Sequence, residues 1–175
     1  MNKVSVSVKI KRLNLLVALA LVISFLFSCG AADHAGEIKS KLLTPFEYEV
    51  QTDEFAFKYK KENGKATMTL TNPQTLEGLE LVKTSSGITA SYDGLVVTLP
   101  GAASAKLFAL DTLVDKVVKA IDDNLFTVST SNGETALKVI DGEKIYTVYY
   151  DSDIGKITTA EIAQGSAKTA YSFMP

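Results

Sequence analysis

The sequence predicts an α+β fold, in which antiparallel strand meanders flank one main amphipathic helix. Three observations predict it. Apolar residues alternate with polar ones over a series of short segments from Phe46 to Leu99 and again from Leu125 to Phe173. Four pairs, Asn63-Gly64, Asp93-Gly94, Asn132-Gly133 and Asp141-Gly142, stand between such segments at hairpin spacing. Between the two series, Leu107, Leu110, Val114, Val117 and Ile121 recur at three or four residues, the period of a helix with one apolar stripe.

Before the first strand the chain carries an address. The 175 residues hold 18 Lys+Arg against 20 Asp+Glu, one Cys and one His. Residues 1–28 contain Lys3, Lys9, Lys11 and Arg12 and no acid, so the chain after Cys29 has 14 cations against 20 anions and no Arg. A basic start followed by the apolar run Leu13 to Phe27 has the form of a secretory signal peptide. The run is shorter than the ~20 residues of a spanning helix. Leu26-Phe27-Ser28-Cys29 resembles a bacterial lipobox, with Gly30 following. That resemblance implies diacylglycerol on the Cys29 thiol and cleavage before it, and two acyl chains make a stable anchor. An uncleaved anchor helix or an ordinary signal peptide would also place the rest of the chain outside the cytoplasm. Residues 1–28 are thus expected to be a lipoprotein signal peptide, 29–44 the lipidated Cys and a flexible tether, and 45–175 the folded domain. The expected location is the extracytoplasmic face of the cell membrane, with the chain a monomer.

The tether reading rests on Gly30 to Gly36, which is small and polar without periodicity. His34 lies in it and reads as solvated. Glu37 to Leu43 suits a short helical turn that Thr44-Pro45 ends. The first meander then runs through Phe46/Tyr48/Val50, Phe55/Phe57/Tyr59 and Ala66/Met68/Leu70. It resumes, after Asn72-Pro73, with Leu79–Val82, Ile88–Tyr92 and Leu95–Leu99. Pro100-Gly101 stops the strands, and the helix is expected over 104–123, with Asp111, Asp115, Lys116, Lys119 and Asp122 on its polar side. The second meander has strands at 125–130, 135–140, 145–150, 156–163 and 168–173.

Little in the chain points to chemistry. No second Cys accompanies Cys29 and the single His lies in the tether, so no Ser/His/Asp or Cys/His set can form in the domain. No dinucleotide, P-loop or zincin motif occurs, no cofactor is implied, and an acidic domain gives no basic field for nucleic acid. Asp151-Ser152-Asp153-Ile154-Gly155 begins like a calcium loop, but its twelfth position is Ile162, so it reads as a polar turn. Asp122-Asp123 reads as a helix end, and Glu47 and Glu49 as solvated strand carboxylates. Lys58, Lys60 and Lys61 read as an edge strand guarded by charge. No metal site and no catalytic residue is expected.

The order of lipobox, paired aromatic strands, TMTLTNPQTLEGLEL (67–81), ITASYDGLVVTLP (88–100), one helix and a C-terminal meander resembles the LolA/LppX-like superfamily of lipoprotein-localisation factors and mycobacterial lipid-carrier lipoproteins. More narrowly it is similar to a Gram-positive lipoprotein branch that shares the P-x-x-L-x-G-L turn, here Pro73 to Leu79. The resemblance implies a curved antiparallel sheet, an unclosed half-barrel, with the helix packed on its concave side. It also implies that the space between them binds acyl chains or a lipidated partner. It implies no catalytic residue. The soluble carriers hold their lid with an Arg, which this chain lacks after position 12. On this reading Phe55, Phe57, Met68, Leu110, Val114, Val117, Ile121 and Val148 are the residues expected to line a lipid cavity between sheet and helix. The same apolar set would also close a plain two-layer core. A non-catalytic envelope interaction module with a filled core and acidic surface is therefore the alternative, and a carboxylate hydrolase the weakest reading.

Overall fold

Period-two alternation puts one face of each strand inward, and the ladder shows which strands share it. The computed structural model describes residues 34–43, 46–100 and 107–174; Cys29 and the expected signal peptide lie outside them. A helix, α1, spans 34–43. The first meander follows as β1 (Phe46–Gln51), β2 (Ala56–Glu62), β3 (Lys65–Asn72), β4 (Glu80–Thr84), β5 (Gly87–Tyr92) and β6 (Leu95–Leu99). A second helix, α2 (Ala109–Asp122), leads to β7 (Thr127–Ser131), β8 (Glu134–Asp141), β9 (Lys144–Asp151), β10 (Lys156–Gln164) and β11 (Ala167–Met174). One antiparallel sheet of eleven strands results, in the order β6-β5-β4-β3-β2-β1-β11-β10-β9-β8-β7. The edge strands β6 and β7 do not pair, so the sheet is an unclosed half-barrel. The first and last strands, β1 and β11, join the two meanders at its centre.

The hairpins follow their turn chemistry. Asn63-Gly64, Asp93-Gly94 and Asn132-Gly133 form two-residue loops with φ positive at both positions, which Asn, Asp and Gly tolerate best. The fourth pair is shifted by one. Asp141 is the last strand residue, opposite Lys144, and the loop is Gly142-Glu143 with positive φ at Gly142. Helix α2 ends in a Schellman-type cap: Asn124 has φ 54° and the Leu125 N–H reaches the Ala120 carbonyl at 2.8 Å.

The core fills the concave side. Phe46, Tyr48, Tyr59 and Phe173 make edge-on and tilted aromatic contacts with centroids 4.4–5.8 Å apart across β2, β1 and β11. Leu110, Leu113, Val114, Val117 and Ala120 of α2 are buried in the same cluster as Leu137, Val139, Val148 and Ile157 of the second meander.

Two sequence expectations change here. Residues 34–43 are not tether: Ala35, Ile38 and Leu42, spaced three and four apart, are buried in the core, and the compact unit begins at Ala35. The small residues before Glu37 hide this stripe, because only Ala35 in that stretch contributes to it. The charged strand β2 is not an edge but lies between β3 and β1. Its Lys58 and Lys60 face outward, Lys60 toward Glu47 and Glu62, whereas Lys61 turns inward. At the true edge, Leu95 and Val97 of β6 face the inner side, opposite Tyr92 and Ala90, but stay exposed.

Candidate functional site

The sheet has more concave face than its helices cover, and the remainder forms an apolar cavity of about 540 Å³. Its floor is Phe57 on β2, Met68 and Leu70 on β3, and Leu81 on β4. These belong to adjacent rows of the ladder, in which Tyr59 stands opposite Met68 and Met68 opposite Leu81, while Phe57 stands opposite Leu70. Leu76 and Leu79 close one side from the turn after β3, and Leu107 reaches in ahead of α2. The β1–β2 turn, with Phe55, and residues 168–171 of β11 close the other side. Phe55 and Leu76 form a partly exposed rim, at 38% and 37% exposure. Burial pushes the Tyr171 phenol above its ordinary value. The polar side chains on the lining are Asp53, Glu54, Thr52, Lys168 and Thr169. The cavity lies within the size range of small-molecule sites, which are mostly apolar with a few polar groups.

Of the residues expected to line such a space, Phe55, Phe57 and Met68 do so. Leu110, Val114, Val117 and Val148 are buried in the packed core instead, and Ile121 packs against it half-buried. The reason is where α2 lies. Its apolar stripe meets β8 and β9 of the second meander, while the cavity opens under β2–β4 of the first. Leu70, Leu76, Leu79, Leu81, Leu107 and Tyr171 complete the lining. Leu70, Leu107 and Tyr171 were visible as inward positions of their periodic runs. Leu76 and Leu79 are the two leucines of the P-x-x-L-x-G-L turn, where the Gly78 N–H and the Leu70 N–H bond back across the turn at 2.9 Å. Nothing in its local pattern distinguishes Leu76 from an ordinary turn residue, and Leu79 reads as the start of the next strand.

Beside the cavity sits an ionic cluster that periodicity conceals. Lys61, Ala66 and Lys83 share one inward row across β2, β3 and β4. Ala66 is small, so both lysines reach Asp111 above it. Asp111 is only 3% exposed. Its Oδ1 accepts from the Lys61 ammonium at 2.6 Å and from the Tyr59 hydroxyl at 3.0 Å, and its Oδ2 accepts from Lys83 at 2.6 Å. Lys61 also reaches Asp115 at 2.5 Å. Burial alone would raise the Asp111 carboxyl, but the hydrogen bonds and charges of the two lysines outweigh it and hold the group below its ordinary value. Burial likewise opposes the charge on Lys61, and Asp111 and Asp115 overcome it and raise the ammonium. Tyr59 is raised by burial first and by Asp111 second. Asp111 therefore belongs to the buried face of α2, not to the polar side expected of it.

Several acids outside this cluster have structural partners. The Asp151 carboxylate accepts the N–H groups of Asp153 and Ile154 at 2.9 and 3.2 Å, a polar turn. Asp122 pairs with Lys39 of α1, and Asp123 with Lys119.

No protein-family model and no curated protein matches the sequence. Among solved structures, the chain is similar to one in the complex of the Clostridioides difficile CwlD amidase with the GerS lipoprotein. The identity is 18% and the TM-score 0.47, over 70% of this chain and 78% of that one. It is also similar to the Mycobacterium tuberculosis lipoprotein LppX, at 12% identity and TM-score 0.45, over 80% of this chain and 92% of that one. The unclosed sheet with helices on its concave face is the architecture that the LolA/LppX-like resemblance implied.

Proposed function

We propose that the chain is a membrane-anchored extracytoplasmic lipoprotein, held by diacylglyceryl-Cys29, that binds a hydrophobic ligand such as an acyl chain in the cavity between β2–β4 and the start of α2. The observation that carries this reading is the cavity itself: about 540 Å³ lined mainly by Leu, Phe and Met. Its mechanism is burial without a covalent step. Each Å² of hydrocarbon removed from water contributes about 25 cal/mol, and the walls are already assembled. On this reading the protein is not an enzyme.

Native mass spectrometry of residues 30–175, made without the lipid anchor and purified without detergent, tests the proposal. Co-purified mass that denaturation releases as fatty acid or phospholipid supports it. A single apo mass that persists after incubation with phospholipid vesicles overturns it. Labelling of the wild type, but not of Cys29→Ala, with an alkyne fatty acid tests the anchor separately.

A further inference from the structure

At the centre of the sheet, β11 outruns the strand beside it. The last β1–β11 pair is Gln51 opposite Ser172, yet β11 extends back to Ala167. Beyond Gln51 the chain turns away, and the Thr52 N–H bonds the Phe55 carbonyl at 2.8 Å. Main-chain groups of successive strand residues point to opposite sides. Since Thr52 points toward β2, Gln51 and Glu49 point toward β11, and their partners Ser172 and Met174 point back. By the same alternation Lys168 and Ala170 aim their N–H and C=O groups away from β10, into the space past the β1–β2 turn. Among the described residues nothing bonds to them there. This open edge is a wall of the cavity, which residues 168–171 line opposite Leu76 and Leu79.

We propose that this edge docks an extended segment of a partner polypeptide, which adds as a strand along Lys168 and Ala170 and lays an apolar side chain in the cavity. Peptide is the occupant that fits. A second backbone matches the open donors and acceptors, whereas a hydrocarbon chain has nothing to offer them. Strand alternation would send every other side chain into the apolar space and the rest outward. Charge narrows the partner further. Asp53 and Glu54 stand on the rim with no cation paired to them among the described residues, while Lys168 is held by Glu161 at 2.6 Å. The segment therefore carries a basic residue beside its apolar ones. The inference does not rest on lipid binding, and the two ligands would compete for the same volume.

The test uses the full lipidated chain in phospholipid nanodiscs. The probes are six-residue peptides alternating valine with threonine, in both registers, with and without a terminal lysine. The readout is amide hydrogen exchange at single residues. Exchange at Lys168 and Ala170 should slow about tenfold with the lysine-bearing peptides, and the advantage of the lysine should vanish in 1 M salt, where the screening length is about 3 Å. Ala170→Pro removes an N–H without a ladder partner; it should abolish the effect while the circular dichroism of the sheet is kept. Should that variant fail to fold, Lys168→Pro makes the same test one pair along. Absence of slowing with every peptide overturns the proposal. So does equal binding by peptides whose amide nitrogens are methylated along one edge, because the contact would then be apolar alone.

Discussion

The carboxylate of Asp111 lies 2.6 Å from the ammonium of Lys83, joining the first turn of α2 to the fourth strand across the concave face. Lys61 on β2 takes the other oxygen. The same strands carry Phe57 and Leu81 into the cavity, and the chain just before α2 carries Leu107. The cluster therefore sets where the cavity wall stands relative to its floor.

Removing Asp111 should be costly. Asp111→Ala leaves Lys83 without its carboxylate and Lys61 with only the exposed Asp115. Stripping one partner from a buried ion cluster typically costs about 3–5 kcal/mol, and the low end applies because Lys83 is a third exposed. Urea denaturation should show that loss. Replacing Lys61, Lys83 and Asp111 together by Met, Met and Leu should restore most of it, since the lone buried charges go too.

The same cluster sets the direction of pH dependence. Because the folded Asp111 carboxyl is held below the ordinary carboxylate value, its contribution is fully present above that value and is lost as pH falls through the lower folded one. Lys61 is raised above 10.5, so its contribution is present below that value and lost only as pH rises through the folded one. Between these limits the cluster should leave stability flat. A urea-midpoint series from pH 7 to pH 2 should fall more steeply below pH 4 for the wild type than for Asp111→Asn.

Helix α1 should behave as core, not as linker. Ile38 is fully buried, so Ile38→Ala should destabilise the domain by about 2–5 kcal/mol. A flexible tether would tolerate the change, and thermal unfolding distinguishes the two outcomes directly.

Cavity and core variants should separate. Thr169→Trp, on the inward face of β11, fills the lined space without removing a core contact, so it should abolish co-purified lipid while the circular dichroism of the sheet is kept. Val117→Asp puts an unpaired charge at a fully buried core position, and should unfold the domain before ligand binding can be read. Lipid retained by Thr169→Trp would place the ligand elsewhere.

Much of the fold was legible locally. Phe46/Tyr48/Val50 and Ala66/Met68/Leu70 show their alternation without help from neighbours, and Asn63-Gly64 and Asn132-Gly133 set their registers through positive φ. Ala35, Ile38 and Leu42 were harder to read, because three positions in ten residues, beside Gly36 and His34, make a faint stripe. Lys61 misled for a different reason. A lysine on a strand ordinarily marks the wet face, and here the inward row carries charge because Asp111 meets it.

Nearest neighbours along the chain suffice for the strand segments, the hairpin loops, the single long amphipathic helix and the expectation of an exported, acylated chain. Which apolar residues pack and which line open space is settled by contacts between distant segments. That choice depends on where α2 lands on a sheet wider than itself: its stripe falls on β8 and β9, Asp111 meets β2 and β4 at Lys61 and Lys83, and the Phe57–Leu70 end of β2–β4 stays uncovered. Leu110 and Met68 look alike in the sequence; one is core and the other cavity wall because of a helix position set by contacts between residues far apart in the chain.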